Sequence, residues 1–210
     1  MSSTHISAAE PASAPRILLH VGCGRSPRSR LPQAFQSDAW HEVRLDIDPA
    51  VNPHIVGSVT DMPAVPDASV DAVWSSHSIE HLNSFEVPKA LAEFKRVLKP
   101  SGFVLISCPD MLAIAQQVVK DELTGTLYNS AAGPIRPLDM IFGHQASIEA
   151  GNIYMSHRTA FTATSLGEAL AEAGFEEVRV HAGTRWDLWA VATMPETDNF
   201  VFEELAGVMF

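Results

Sequence analysis

The 210-residue sequence has little positive charge, two cysteines and no long apolar run. Lysine and arginine number 14 against 25 acidic residues, which gives a formal net charge of −11. A chain of this charge repels phosphate backbones, so we expect no nucleic-acid partner. The apolar runs are too short to cross a bilayer and no secretory segment follows the N-terminus, so we expect no membrane partner. These absences together predict a cytoplasmic protein.

The two cysteines, Cys23 and Cys108, end predicted strands that we expect to be separated by a third strand. Two strand spacings amount to about 10 Å, which is beyond the reach of a disulfide. Both side chains are therefore predicted to be free thiols in a reducing compartment.

Apolar segments alternate with connecting segments along most of the chain. Strands are predicted within residues 16–24, 41–47, 54–59, 70–75 and 103–107, helices over 32–37, 86–98, 110–123 and 165–173, and a terminal hairpin from 177–181 and 188–194. Strands that alternate with connections favour a parallel sheet with right-handed crossovers, which is an α/β fold. The hairpin makes the last strand antiparallel, and its Trp186 and Trp189 are interpreted as packing residues.

The sequence predicts one domain over residues 16–194. Residues 1–15 are rich in Ser, Ala and Pro without periodicity, which predicts a mobile tail. Residues 125–158 are rich in Gly, Pro, Asn and His and are long for a connection, so we assign a lid or substrate segment to about 110–160. Residues 195–210 form a C-terminal tail with a weak helical signal.

Glycine, acidic or other polar residues follow four of the predicted strands. They are Gly22 and Gly24, then Asp46 and Asp48, then Asp61, then Ser76 and His77. Ligands of open α/β sheets lie beyond the carboxyl ends of the strands. An acid about 20 residues after the glycines suits a ribose diol, because a carboxylate accepts both hydroxyl protons. No third glycine appears in residues 25–30, which argues against the pyrophosphate loop of an NAD enzyme.

Four segments resemble class I S-adenosylmethionine-dependent methyltransferases, and within them the type-11 methyltransferase domain: LLHVGCG, LDIDP, SVTDMPAVPDASVDAVWSSHSIEHL and RVLKPSGFVLIS. The resemblance covers Arg16 to Pro109, and HRTAFTATSLGEALAEAGFEEVRV supports it downstream. It implies a Rossmann-like, doubly wound, mostly parallel sheet of seven strands with an antiparallel last strand. It also implies an enzyme that uses S-adenosyl-L-methionine, releases S-adenosyl-L-homocysteine and methylates a small-molecule acceptor.

The resemblance also implies a set of cofactor-binding residues. Gly22 and Gly24 would line the methionine portion, Asp46 would bind the ribose hydroxyls, and Asp61 would accept from the adenine amine. Alignment on the following proline favours Asp46 over Asp48 for the ribose. The whole set is His20, Gly22, Cys23, Gly24, Asp46, Ile47, Asp61, Met62, Ser76 and His77.

A general base is needed only for an acceptor that must lose a proton early, and the candidates are His77, His81 and His144. No metal is expected. The segment HSIEH does match HxxEH, the pattern in which two histidines hold zinc and a glutamate acts as base. Because the segment follows a buried strand directly, instead of lying within a long helix, a zinc hydrolase is the weaker alternative.

A second alternative comes from two departures from the family pattern. His20 stands where an acid is usual, and Ser26 where a glycine is frequent. Both flank the glycine turn, so a regulatory protein that binds the cofactor without turnover is also a hypothesis. The sequence does not decide between a monomer and a homodimer.

Overall fold

Seven strands form one sheet in the computed structural model, which describes residues 14–25 and 27–209; Ser26 and most of the predicted tail 1–15 lie outside the described residues. The strands of the chain are β1 (Arg16–Val21), β2 (Trp40–Asp46), β3 (Ile55–Val56), β4 (Val70–Ser76), β5 (Leu98–Pro109), β6 (Tyr128–Ser130), β7 (Gly133–Ile135), β8 (Val178–Ala182) and β9 (Asp187–Thr193). The main sheet has the order β3-β2-β1-β4-β5-β9-β8, and β6 and β7 form a separate hairpin.

The α-helices are α1 (Val87–Val97), α2 (Met111–Val119), α3 (Pro137–Phe142), α4 (Gln145–Glu149), α5 (Ala163–Glu172) and α6 (Phe200–Met209). Strands β1 to β5 pair in parallel, whereas β9 is antiparallel to both β5 and β8. The predicted α/β fold with an antiparallel last strand is confirmed. No helix of the described residues is long and apolar enough to cross a membrane.

Strand β1 lies at the centre of the sheet and is covered on both faces. Leu18 and Leu19 are completely buried but belong to different apolar clusters, one on each face. One face packs against α1 and α5, and the other against Phe35, Trp40 and α6. The chain runs outward from β1 through β2 to β3 and then returns to β4 on the other side of β1. The strand order therefore reverses at β1, which is where such sheets open a ligand crevice.

Several predicted elements are shorter in the structure. The predicted helix 32–37 is a single 3-10 turn, Gln33–Phe35, and the predicted strand 54–59 is reduced to Ile55–Val56. The strand stops because Ser58 turns the chain: its backbone carbonyl accepts the amide N–H of Asp61, and its hydroxyl accepts that of Thr60. The predicted helix 110–123 ends at Val119, although Asp110 caps its start as a helix N-cap should.

Helix α6 extends over ten residues, although residues 195–210 show only a weak helical signal in the sequence. Val201, Phe202 and Leu205 are buried in the cluster on one face of the sheet. Cys23 and Cys108 are both buried and free, as predicted.

Candidate functional site

Two cavities open at the carboxyl edge of the sheet. The first, which we call the glycine cavity, has a volume of about 390 Å³ and lies over the ends of β1 and β2 and the turn after β4. Five residues of the predicted cofactor set line it, namely Gly22, Gly24, Asp46, Ile47 and His77. Its far wall comes from the segment 152–158, which belongs to the predicted lid.

The floor of the glycine cavity requires glycine for two reasons. Gly22 and Gly24 have φ angles of +59° and +53°, in the left-handed region that L side chains rarely adopt. A Cβ atom on Gly22 would also lie 2.2 Å from the Ser78 hydroxyl oxygen, whereas one on Gly24 would meet open space. The turn thus brings the backbone of β1 close against the segment that follows β4.

Asp46 fixes the geometry of this floor. Its carboxylate is 8% exposed, and one oxygen accepts the Gly24 amide N–H at 2.8 Å. The other oxygen accepts the Asp48 amide N–H at 2.9 Å. Each carboxylate oxygen still has a lone-pair direction available, so the group can accept two further protons from the cavity. Asp48 also lines the cavity, but its carboxylate caps the next turn by accepting from Ala50.

Other predicted cofactor residues lie outside the glycine cavity. His20 points to the opposite face of the sheet, because the neighbouring Leu19 and Val21 both face the α1 and α5 side. There its ring lies beside Trp74, and Nδ1 is 2.7 Å from a Glu42 carboxylate oxygen. Burial acts to raise the pKa of Glu42, but the hydrogen bond and charge of His20 outweigh it and lower the pKa.

Three further predicted residues have backbone or packing roles. Met62 is buried; its amide donates to Glu93 at 2.7 Å and its carbonyl accepts from Arg96 at 2.9 Å. Asp61 is exposed in the turn next to the cavity wall. Cys23 is buried beneath the glycine turn, and burial is the main cause that raises the pKa of its thiol.

The second cavity, which we call the tryptophan cavity, has a volume of about 450 Å³ and lies on the other side of β4. The rings of Trp74 and Trp189 stack in its wall with centroids 5.4 Å apart, and the Trp189 indole N–H donates to Asp187 at 3.0 Å. Ser76, predicted for the cofactor site, lines this cavity instead of the first. Further lining residues include Arg30, Ser107, Tyr128 and Arg185. Trp189, predicted to be a packing residue, thus lines a cavity that no motif in the sequence indicated.

His77 lines both cavities. Its backbone has a φ angle of +45°, and its amide N–H donates to the Ser107 carbonyl at 2.8 Å, which holds the left-handed turn against β5. Nδ1 lies 3.4 Å from a carboxylate oxygen of Glu80, which is 1% exposed. Desolvation opposes the charged forms of both groups. The contact with His77 and the charges of three histidines nevertheless lower the pKa of Glu80. The pKa of His77 is raised, mainly by Glu80 and to a smaller extent by Asp187.

The other two candidate bases have different surroundings. His81 lines the glycine cavity, and its two ring nitrogens lie 3.1 Å from the Ser156 carbonyl and 3.2 Å from the His77 carbonyl. His144 lines neither cavity, and its Nδ1 is 2.7 Å from the Ser147 hydroxyl at the start of α4.

The segment HSIEH does not form the helix that a zinc peptidase needs. His77 is left-handed, and His81 ends a 3-10 turn of three residues, Ile79–His81. The two histidines are therefore not one turn apart on a helix face, which removes the structural context of that motif.

Comparison with known proteins finds similarity to methyltransferases over part of the chain. Residues 19–106 match a family of methyltransferase domains. A probable S-adenosylmethionine-dependent methyltransferase of Mycolicibacterium smegmatis is 31% identical over 110 residues, which are 48% of this chain and 40% of that protein. The chain thus spans about two fifths of the length of that relative.

Solved structures share the fold at low sequence identity. A methyltransferase from Archaeoglobus fulgidus superposes with a TM-score of 0.56 at 15% identity, covering 85% of this chain and 86% of the other. A 1,6-didemethyltoxoflavin-N1-methyltransferase from Burkholderia thailandensis was solved with bound 1,6-didemethyltoxoflavin and S-adenosylhomocysteine. It superposes with a TM-score of 0.54 at 17% identity, covering 88% of this chain and 72% of the other. Likeness at these identities establishes the fold alone.

Proposed function

We propose that this chain, whose residues 19–106 match a family of methyltransferase domains, is a class I methyltransferase that transfers a methyl group from S-adenosyl-L-methionine to a small-molecule acceptor. When bound, the cofactor supplies a methyl group made electrophilic by its sulfonium. The protein then has to hold an acceptor atom in line with that group and exclude water. Positioning of this kind contributes up to about 7–11 kcal/mol in ideal cases.

The glycine cavity fits the cofactor. A methionine chain needs close approach to the backbone, which the turn at Gly22 and Gly24 allows because neither residue carries a Cβ atom. A ribose needs a fixed acceptor, and Asp46 is held by two backbone amides at the cavity floor. An adenine ring needs a flat apolar surface, and Ile47 lines the cavity with 50% of its surface exposed.

The acceptor is assigned to the tryptophan cavity, and one observation carries this assignment: His77 lies between the two cavities and lines both. A methyl acceptor must meet the donor at such a boundary. The indole rings, together with Tyr128 and Arg185 in the same lining, suit a small planar acceptor that bears a hydroxyl or an anionic group.

His77 is the preferred base among the three candidate histidines. His77 lines the tryptophan cavity, so it can reach a proton of an acceptor bound there. The buried carboxylate of Glu80, next to Nδ1 of His77, orients the imidazole ring. His81 faces the glycine cavity and His144 faces neither, so both rank below His77. A base in this position would contribute about 10²–10⁴-fold to the rate for an acceptor that must be deprotonated.

The test combines cofactor binding with an acceptor screen. Calorimetry should show one site for S-adenosyl-L-homocysteine, and a screen of planar phenols, carboxylates and heterocycles with methyl-labelled cofactor should find turnover. Trp189→Ala should then raise the KM for the acceptor while leaving the dissociation constant of S-adenosyl-L-homocysteine unchanged. Absence of binding at millimolar concentration would reject the proposal, and binding without turnover would favour the regulatory alternative.

A further inference from the structure

The buried carboxylate of Glu80 makes no well-formed hydrogen bond through either oxygen among the described residues, although His77 Nδ1 lies 3.4 Å from one of them. It is 1% exposed, and its nearest polar neighbours are imidazoles. A buried charge costs several kcal/mol unless a counter-charge or hydrogen bonds compensate it. Both carboxylate oxygens therefore remain able to bind a cation.

His157 presents a free ring nitrogen to this carboxylate. Its Nδ1 lies 2.8 Å from the Met140 carbonyl, an acceptor, so Nδ1 carries the proton and Nε2 keeps its lone pair. Nε2 faces a Glu80 oxygen at 3.9 Å. A histidine whose second nitrogen donates to a backbone carbonyl is the usual state of a metal ligand, because that bond fixes the tautomer and the ring orientation.

His81 completes the group. Both of its ring nitrogens lie against backbone carbonyls, at 3.1 Å for Nδ1 and 3.2 Å for Nε2. A neutral imidazole has a single N–H, so one nitrogen directs a lone pair at a carbonyl oxygen unless a proton or a cation lies between them. The ligand atoms of Glu80, His81 and His157 all lie within 4.8 Å of one another.

We propose that Glu80, His81 and His157 bind a divalent transition-metal ion, with zinc as the best match. Two imidazoles and one carboxylate are a ligand set that zinc accepts, at metal–ligand distances of about 2.0–2.2 Å. Ligand atoms of a tetrahedral ion are then about 3.3 Å apart, so the three side chains have to close by about 1.5 Å at most.

The ion would join two walls of the glycine cavity. Glu80 and His81 belong to the turn after β4, whereas His157 belongs to the segment 152–158. These segments are already joined by backbone hydrogen bonds. The Glu80 backbone carbonyl accepts from the amide N–H groups of Arg158 and Thr159 at 2.9 and 3.1 Å. The metal adds a side-chain link to this backbone link. Its role is to hold segment 152–158 against the turn after β4. The site differs from that of a HxxEH peptidase because Glu80 is a metal ligand here and not a base.

Zinc titration of the chelator-treated 210-residue protein tests the site. Calorimetry should show one zinc per chain, and zinc should raise the melting temperature of the wild type. His157→Ala should weaken binding at least tenfold, and His41→Ala, at an exposed histidine on β2, should bind as the wild type does. Equal affinity of the wild type and His157→Ala, or no stoichiometric binding at micromolar zinc, would overturn the proposal.

A spectroscopic measurement covers variants that fold poorly. Cobalt added to the wild type should give the visible absorption of a four- or five-coordinate site, and Glu80→Gln should abolish that absorption. X-ray absorption of the wild-type zinc protein should show nitrogen and oxygen neighbours only. A spectrum with sulfur neighbours, or with six water oxygens, would contradict the ligand set. None of these readouts requires methyl transfer, so they stand apart from the proposed activity.

Discussion

The carboxylate of Asp46 accepts the amide N–H of Gly24 at 2.8 Å, so the end of β2 is bonded directly to the turn that ends β1. This bond aligns the carboxylate with the cavity floor before any ligand arrives. Asp46→Ala removes a charged acceptor worth about 1.5–3 kcal/mol and should weaken S-adenosyl-L-homocysteine binding by tenfold or more. Calorimetry measures the effect.

Asp48→Ala is the matched control for that variant. Asp48 lines the same cavity, but its carboxylate serves the turn that follows by accepting from Ala50 at 2.8 Å. We expect Asp48→Ala to change the affinity by less than about threefold, which is under 1 kcal/mol. If Asp48→Ala has the larger effect, the ribose position belongs to Asp48.

The glycine turn allows backbone strain to be separated from crowding. Gly22→Ala and Gly24→Ala place a Cβ atom at similar φ angles, which costs about 1–2 kcal/mol in each case. Only the Gly22 variant also pushes into Ser78. Urea denaturation should therefore show a larger loss of stability for Gly22→Ala, and Ser78→Gly in the same chain should restore much of the difference. Equal losses for the two single variants would contradict the close approach.

The start of α3 should give the protein a pH-dependent stability. Asp139 is 3% exposed and is held by Arg136 and by the Gln145 amide. Burial acts to raise its pKa, but the bonds from Arg136 and the two backbone amides lower it from 3.8 to about 2. Because the folded pKa is depressed, this stabilisation is complete above about pH 4 and is lost as the pH falls towards about 2.

Asp139→Asn should lower the free energy of unfolding by about 2 kcal/mol at pH 7. The difference between the wild type and this variant should shrink between about pH 4 and pH 2, when the carboxyl group becomes neutral as the amide already is. Asp38→Asn, at an exposed position, serves as the control and should change stability by less than about 0.5 kcal/mol. A difference that stays constant with pH would contradict the shifted pKa.

The sheet could be predicted from the sequence because each of its central strands contains a short, mostly apolar run. β1, β4 and β5 are covered on both faces, and such strands appear as short uninterrupted apolar runs. For the same reason, the orientation of His20 could not be predicted. A strand buried on both faces has no alternation of polar and apolar residues, so nothing in the segment RILLHV indicates which face His20 takes.

The residues around His77 could be predicted only in part. Gly22, Gly24 and Asp46 end their strands, and the edge of a parallel sheet brings such ends together. The tryptophan cavity joins Trp74 and Trp189, which are far apart in the chain and meet because β4 and β9 both flank β5. Glu80 and His157 are similarly distant in sequence, and only the packing of segment 152–158 brings them into contact. No local pattern carries that information.

The reversed direction of β9 gives this scaffold a suitable place for redesign. The parallel strands reach the carboxyl edge of the sheet with their C-terminal ends. Strand β9 reaches it with its N-terminal end, where Asp187 pairs with Pro109. The hairpin turn of residues 183–186 therefore opens on that edge and contributes Gly183, Thr184 and Arg185 to the tryptophan cavity. It shares no residue with the glycine cavity. Lengthening or exchanging this one turn can reshape the tryptophan cavity while the glycine turn and Asp46 keep their places, which makes it a suitable target for a loop library.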